Sequence, residues 1–239
     1  MEVDETMSNV LVDGLGYVTV QNLIPTHLVD SINSKLDTLY PTRASSSKKQ
    51  YAEGNNIQHL PDISVWWSQL VMDWPEVIEI EQILHPLINE FLDDPLWYAS
   101  DIVTIAPNSK WINPHVDTPH RFHKWNYDQR LLGIQCIIAL QDTDHKTGAT
   151  GIVPCSQTHD WDIRKCYDGT YDSYFRVHAM QPVMPKGSVL FYNCRLLHSS
   201  MPNDSPKARP ALLLNYLNRD IVEDVKIVDN IWKSNGKLL

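Results

Sequence analysis

Beyond Trp97 the chain breaks into six short apolar or alternating stretches, at 97–105, 131–140, 150–153, 175–181, 188–192 and 209–218, each bounded by Gly, Pro, Asn or Asp. Stretches this short, separated by turn residues rather than by helical repeats, build an antiparallel sandwich or barrel and not a parallel α/β sheet. The region before them reads differently. Residues 16–20 suggest one short strand, and 25–39 carry Leu28, Ile32, Leu36 and Leu39 on one side of an amphipathic helix. A second helix opens at Asp73-Trp-Pro-Glu76 and continues through Val77, Ile80, Leu84, Leu87, Ile88 and Phe91. Its start resembles a capping box with Pro inside the first turn, and Pro86 is expected to kink it.

Within the β-rich half stands His115-Val-Asp117, and far downstream His198. In an extended strand residues i and i+2 point to the same side, so His115 and Asp117 can hold one metal while Val116 faces away. A second imidazole from a neighbouring strand would complete a two-histidine, one-carboxylate face, which leaves open positions on an Fe(II) ion for a co-substrate and dioxygen. A bare His-x-Asp in a chain with 10 His is more often accidental or structural, and a buried Asp beside a histidine often only orients the imidazole. The surrounding motifs therefore decide its meaning.

Those motifs come in a definite order: Trp111-Ile-Asn-Pro-His115-Val-Asp117; the apolar stretch 131–140; Gly148-Ala-Thr-Gly-Ile-Val-Pro-Cys-Ser156; Lys186-Gly-Ser-Val-Leu-Phe-Tyr-Asn-Cys-Arg-Leu-Leu-His198-Ser-Ser-Met-Pro-Asn203; and Arg209-Pro-Ala-Leu-Leu-Leu-Asn-Tyr216. In order and spacing the chain resembles the phytanoyl-CoA dioxygenase family of Fe(II)- and 2-oxoglutarate-dependent oxygenases. The resemblance implies a mainly β fold, a double-stranded β-helix or jelly roll, buttressed here by the N-terminal helices. It implies Fe(II) on His115, Asp117 and His198, with 2-oxoglutarate and dioxygen as co-substrates. Arg209, eleven positions after His198, matches the family residue that binds the far carboxylate of 2-oxoglutarate, and Ser200 matches a hydroxyl that helps hold it.

The implied activity is hydroxylation of an aliphatic C–H bond in a small molecule, with release of succinate and carbon dioxide. Asp117 disfavours halogenation, since the related halogenases replace this carboxylate with a small residue. The chain departs from the family where Pro154-Cys-Ser-Gln-Thr-His159 stands in place of Pro-Gly-Ser-His, which loses the Gly and displaces the His.

Two residues can be argued on their own chemistry. Arg209 opens the apolar run Ala211-Leu-Leu-Leu, where a buried cation is costly unless an anion accompanies it; a bidentate carboxylate answers that cost, and a structural salt bridge is the alternative. Gln135 interrupts an apolar strand and shares a face with Ile137 and Ala139. Its amide needs a partner inside the barrel, either the co-substrate or another strand.

At 239 residues the chain is long enough for one well-buried core, and it is read as a single domain: 1–95 as helical support, 96–218 as the jelly-roll core, 219–239 as a tail. A net charge of −9 argues against a nucleic-acid binder, the only basic cluster of note being Arg43, Lys48 and Lys49. No apolar run reaches the roughly 18 residues that a membrane span needs, and the N-terminus is acidic where a secretory signal would be basic, so a cytoplasmic enzyme is expected. The four cysteines form no C-x-x-C pair and read as reduced thiols.

Loop 41–61 is a solvated connection or a lid. Residues 118–130 and 160–175, rich in aromatic and basic side chains, flank the expected barrel mouth or simply pack onto it. His120 and His123 lie close to the ligand pair and offer alternative imidazoles. The competing functions are a non-catalytic barrel and a cupin-like metalloprotein that does not use 2-oxoglutarate. Arg209 argues against both.

Overall fold

The computed structural model describes residues 7–39, 65–69, 71–110, 112–117, 130–162, 165–166 and 168–222. In chain order these form α1 (Met7–Val12), β1 (Tyr17–Val20), α2 (Thr26–Leu39), β2 (Val65–Gln69), α3 (Pro75–Phe91), β3 (Pro95–Ile105), β4 (Gly133–Ala139), β5 (Thr150–Ile152), α4 (Asp172–His178), β6 (Val189–Asn193), β7 (His198–Ser200) and β8 (Arg209–Asn218). A six-stranded antiparallel sheet runs β1-β6-β4-β8-β3-β2, and a second sheet pairs β5 with β7. Isolated bridges widen the smaller sheet on both sides, His115 to His198 and Ile152 to Met180. These two sheets are the jelly roll.

Strand alternation assigns the two faces of the large sheet. Ile134, Cys136 and Ile138 of β4, Phe191 of β6, and Leu212 and Leu214 of β8 face outward. They pack against Leu28, Val29, Ile32 and Leu36 of α2 and Val77, Ile80, Leu84, Ile88 and Phe91 of α3, with the Phe91 and Phe191 rings 5.7 Å apart. Each such side chain contributes about 1.5–3 kcal/mol on burial, so the helices are structural supports of the sheet. The opposite face of the same strands, Ile137, Ala139, Leu190, Tyr192 and Ala211, forms the inner wall of the barrel.

Several expectations require correction. The strand expected at 16–20 is present as β1 and closes one edge of the large sheet, but β2 closes the other edge, so the support before residue 95 is not helical apart from that one strand. Residues 175–181 are not a strand. Asp172 in the first turn and Arg176 and His178 in the last complement a helix dipole, and α4 forms there with Phe175 buried and Val177 exposed. Strand pairing survives only at Met180, which exchanges two backbone hydrogen bonds with Ile152.

The capping box at Asp73 is also absent. The helix is capped at Trp74 without a side-chain bond, and Glu76 instead accepts from Ser31 Oγ and Lys35 Nζ of α2, each at 2.7 Å. Burial would raise the Glu76 carboxyl, but these partners outweigh it and hold it below its ordinary value. Its carboxylate ties the two helices together rather than closing one of them. Helix α3 passes through Pro86 unbroken.

Candidate active site

The i, i+2 geometry of the His-x-Asp segment is present and is anchored by backbone pairing. His115 exchanges both N–H···O bonds with His198 at 3.0 Å, and Asp117 N–H donates to Cys194 O at 2.8 Å. The ligand segment is thereby stitched to the β6–β7 connection and to β7 itself. Val116 faces away and is buried with Val153, Trp161, Phe175 and Leu197. The aromatic segment 160–175 therefore packs onto the back of the ligand strand among its described residues, with Trp161 stacked on His159 and meeting Tyr171 and Tyr174 edge-on.

The three side chains converge. His198 Nε2 lies 3.2 Å from Asp117 Oδ2, His115 Nε2 lies 3.8 Å from Asp117 Oδ1, and one ligand atom from each residue falls within 4.8 Å of the others. Among the described residues this is the one cluster of three side chains able to hold a metal. Both imidazoles have Nδ1 on a backbone carbonyl, His115 on Asn113 and His198 on Leu196, each at 3.0 Å. Those bonds place the proton on Nδ1 and turn each Nε2 lone pair to the centre, the tautomer that metal ligation needs. The donor set suits Fe(II).

Sequence reading missed a fourth participant, Tyr192 of β6. Its hydroxyl donates to Asp117 Oδ2 at 2.8 Å and lies 3.1 Å from His198 Nε2. Burial alone would raise the Asp117 carboxyl, but His198, His115 and the Tyr192 hydrogen bond outweigh it and hold it well below the usual carboxylate range. Burial would lower His198, and Asp117 reverses this and raises it. The only signal for Tyr192 in the sequence was its inward parity on a buried strand.

Arg209 begins β8 and is 3% exposed. Its guanidinium donates to Gly148 O and approaches Ser200 Oγ of β7 at 3.4 Å, and among the described residues no carboxylate pairs with it. Burial pushes its pKa down to about 10, so it remains a cation at neutral pH. A buried cation whose described partners are neutral oxygens is stabilised by an anion placed beside it. Gln135 lies on the inner wall, cross-strand from Tyr192, and its Oε1 is buried without a hydrogen-bond partner.

In the Pro-Cys-Ser turn, Cys155 adopts φ 62°, the left-handed conformation that glycine takes without strain. Ser156 Oγ accepts from Leu197 N–H, and the Gln157 amide donates to Val12 O and Gly14 O behind α1. His120, His123, loop 41–61 with Arg43, Lys48 and Lys49, residues 118–129, Trp111, Arg164, Tyr167 and the tail from 223 lie outside the described residues. The four cysteines are free, and no described helix is long and apolar enough to cross a membrane.

The phytanoyl-CoA dioxygenase family profile matches residues 12–211. Among solved structures, HygX from Streptomyces hygroscopicus, crystallised with nickel and 2-oxoglutarate, superposes with a TM-score of 0.64 at 12% identity, covering 92% of this chain and 88% of its own. EctD from S. alaskensis with bound Fe gives 0.66 at 15%, covering 91% and 77%. SnoN, a non-heme α-ketoglutarate-dependent epimerase of nogalamycin biosynthesis, gives 0.63 at 15%, covering 89% and 82%. No curated protein sequence matches the chain. The profile, the jelly roll and the converging His-Asp-His cluster agree: this chain belongs to the phytanoyl-CoA dioxygenase family and is an Fe(II)- and 2-oxoglutarate-dependent oxygenase.

Proposed function

We propose that the protein hydroxylates an aliphatic C–H bond of a small molecule, with His115, Asp117 and His198 as the iron ligands and Arg209 with Ser200 as the seat of the remote carboxylate of 2-oxoglutarate. The observation that carries this reading is Arg209, a buried cation without an acid partner among the described residues, beside the strand that delivers His198. Iron, when bound, supplies the redox chemistry that couples decarboxylation of 2-oxoglutarate to oxidation of the substrate. The protein's own residues do the rest. The Nδ1–carbonyl bonds fix both imidazoles, Tyr192 keeps one Asp117 oxygen engaged, and Arg209 orients the co-substrate by a charge-assisted fork.

Asp117 supports hydroxylation over halogenation because it fills the position a halide would need. The fold alone does not choose among outcomes, since SnoN is an epimerase and HygX has been crystallised with hygromycin B. The test is anaerobic titration with Fe(II) and 2-oxoglutarate, followed by exposure to isotopically labelled dioxygen with candidate substrates. The expected result is a visible charge-transfer band that requires both ligands, succinate release, and one labelled oxygen atom in the product. Product formation without label would replace hydroxylation by an epimerase-like outcome. No band and no succinate would remove the site assignment.

A further inference from the structure

The inner wall of the barrel carries a pair of carboxamides whose oxygens have no hydrogen-bond partner among the described residues. Gln135 of β4 and Asn215 of β8 are directly opposed in the antiparallel register, so their side chains leave the sheet on the same face as neighbours. Gln135 is also opposed to Tyr192, whose hydroxyl reaches Asp117, so the row Tyr192–Gln135–Asn215 lies level with the metal ligands. Gln135 is 6% exposed. Its Oε1 and the Oδ1 of Asn215 are both buried and, among the described residues, accept no hydrogen bond. Their neighbours along the same face, Ile137 and Ala139 on β4 and Leu213 and Ala211 on β8, are apolar.

A buried amide oxygen without a donor is destabilising, and a ligand N–H or O–H placed beside it offsets that cost. That ligand is not the remote end of 2-oxoglutarate. Arg209 stands six residues from Asn215 on β8, about 20 Å along the strand at roughly 3.4 Å per residue, so the two lie at opposite ends of the wall. The buried atoms are acceptors, whose complement is an N–H or O–H donor. An anionic group offers no such donor and is disfavoured beside two buried acceptors.

We infer that Gln135 and Asn215 form the substrate-recognition pair of this oxygenase, holding an amino or hydroxyl group of a small polar molecule while its apolar flank rests on Ile137 and Leu213. This rests on the oxygenase reading of the metal site given above. The pair determines specificity and is not a metal or 2-oxoglutarate anchor.

The experiment uses full-length protein loaded with Ni(II) and 2-oxoglutarate, which prevents turnover. Ligand-observed NMR titrations then compare matched ring probes: trans-cyclohexane-1,2-diol and trans-1,2-diaminocyclohexane against cyclohexanecarboxylate. At least one donor probe is expected to bind saturably and the carboxylate not to. Gln135→Met and Asn215→Leu are expected to bind that probe at least tenfold more weakly while retaining Ni(II) and 2-oxoglutarate.

A second reading needs no ligand. In metal-free protein the same two variants should melt at the wild-type temperature or above it, because neither amide oxygen accepts a hydrogen bond among the described residues. A purely structural amide would lower it. Preference for the carboxylate, no saturation by either donor probe, undiminished binding by the variants, or lowered melting temperatures each overturn the inference. Failure of wild-type protein to take up Ni(II) and 2-oxoglutarate would instead overturn the assignment of the metal site beneath it.

Discussion

Tyr192 donates its hydroxyl hydrogen to Asp117 Oδ2 at 2.8 Å, tying the carboxylate of the ligand segment to a strand of the large sheet. That oxygen accepts the phenol hydrogen and lies 3.2 Å from His198 Nε2, while Oδ1 faces His115. Bonds of this kind fix the orientation of a ligating group, and their loss typically lowers metal affinity by about 10–100-fold. Tyr192→Phe is therefore expected to weaken Fe(II) or Ni(II) binding by at least about tenfold. It should also cost metal-free protein about 1–3 kcal/mol, because a charged acceptor loses its donor. Competition with a chelator and urea denaturation measure the two effects. Wild-type metal affinity in the variant would reduce Tyr192 to a packing residue.

Arg209→Ala should weaken 2-oxoglutarate by about 1.5–3 kcal/mol, the range for hydrogen bonds to a charged group, and leave metal binding unchanged. Arg209→Lys should recover only part of this, since an ammonium cannot make the planar two-point contact. Burial has pushed the guanidinium down to about 10, so in wild-type protein the cation persists at neutral pH and is lost as pH rises through that value. Calorimetric affinity for 2-oxoglutarate should fall there, and the Arg209→Ala variant should lack that step. Equal affinities of wild type and Arg209→Ala would make the residue purely structural.

Asp117→Ala removes one of the three proposed ligands from a site whose backbone is held independently, through the His115–His198 bridge and the Asp117 N–H to Cys194 bond. The expected outcome is a native far-UV circular dichroism spectrum with succinate release near background. Turnover at the wild-type rate would show that the metal is held without this carboxylate.

Cys155→Gly should raise stability. A non-glycine residue in the left-handed region bears a conformational cost of about 1–2 kcal/mol, and glycine's greater unfolded-state entropy takes back part of it. The net expectation is a gain of about 0.5–1 kcal/mol in chemical denaturation. Cys155→Val, which adds a branched Cβ at the same φ, should go the other way. Destabilisation by Gly would mean that the exposed thiol contributes more than its backbone costs.

The sequence by itself determined the parts whose physics is local. Strand periodicity located β3, β4, β6 and β8 to within a few residues, the 3.6-residue spacing located α2 and α3, and the i, i+2 rule put His115 and Asp117 on one side of their segment. Arg209 was legible because a cation at the head of an apolar strand poses a problem of solvation that few partners solve. Local signals misled where two periods overlapped. The alternating run at 175–181 looked extended, and dipole complementarity with the burial of Phe175 made it α4. Strand β2 could not be read at all, since its place is set by pairing with β3 at the edge of the sheet.

Tertiary structure alone decided which distant residues share a row. That Tyr192 stands beside Gln135, and Gln135 beside Asn215, depends on the register of three strands far apart in sequence, and a slip of one residue would turn each side chain to the other face. The register is held by burial of the outer faces of β4, β6 and β8 against α2 and α3. The packing of two N-terminal helices thus decides which polar groups meet at the metal, and no local pattern within the β strands encodes that.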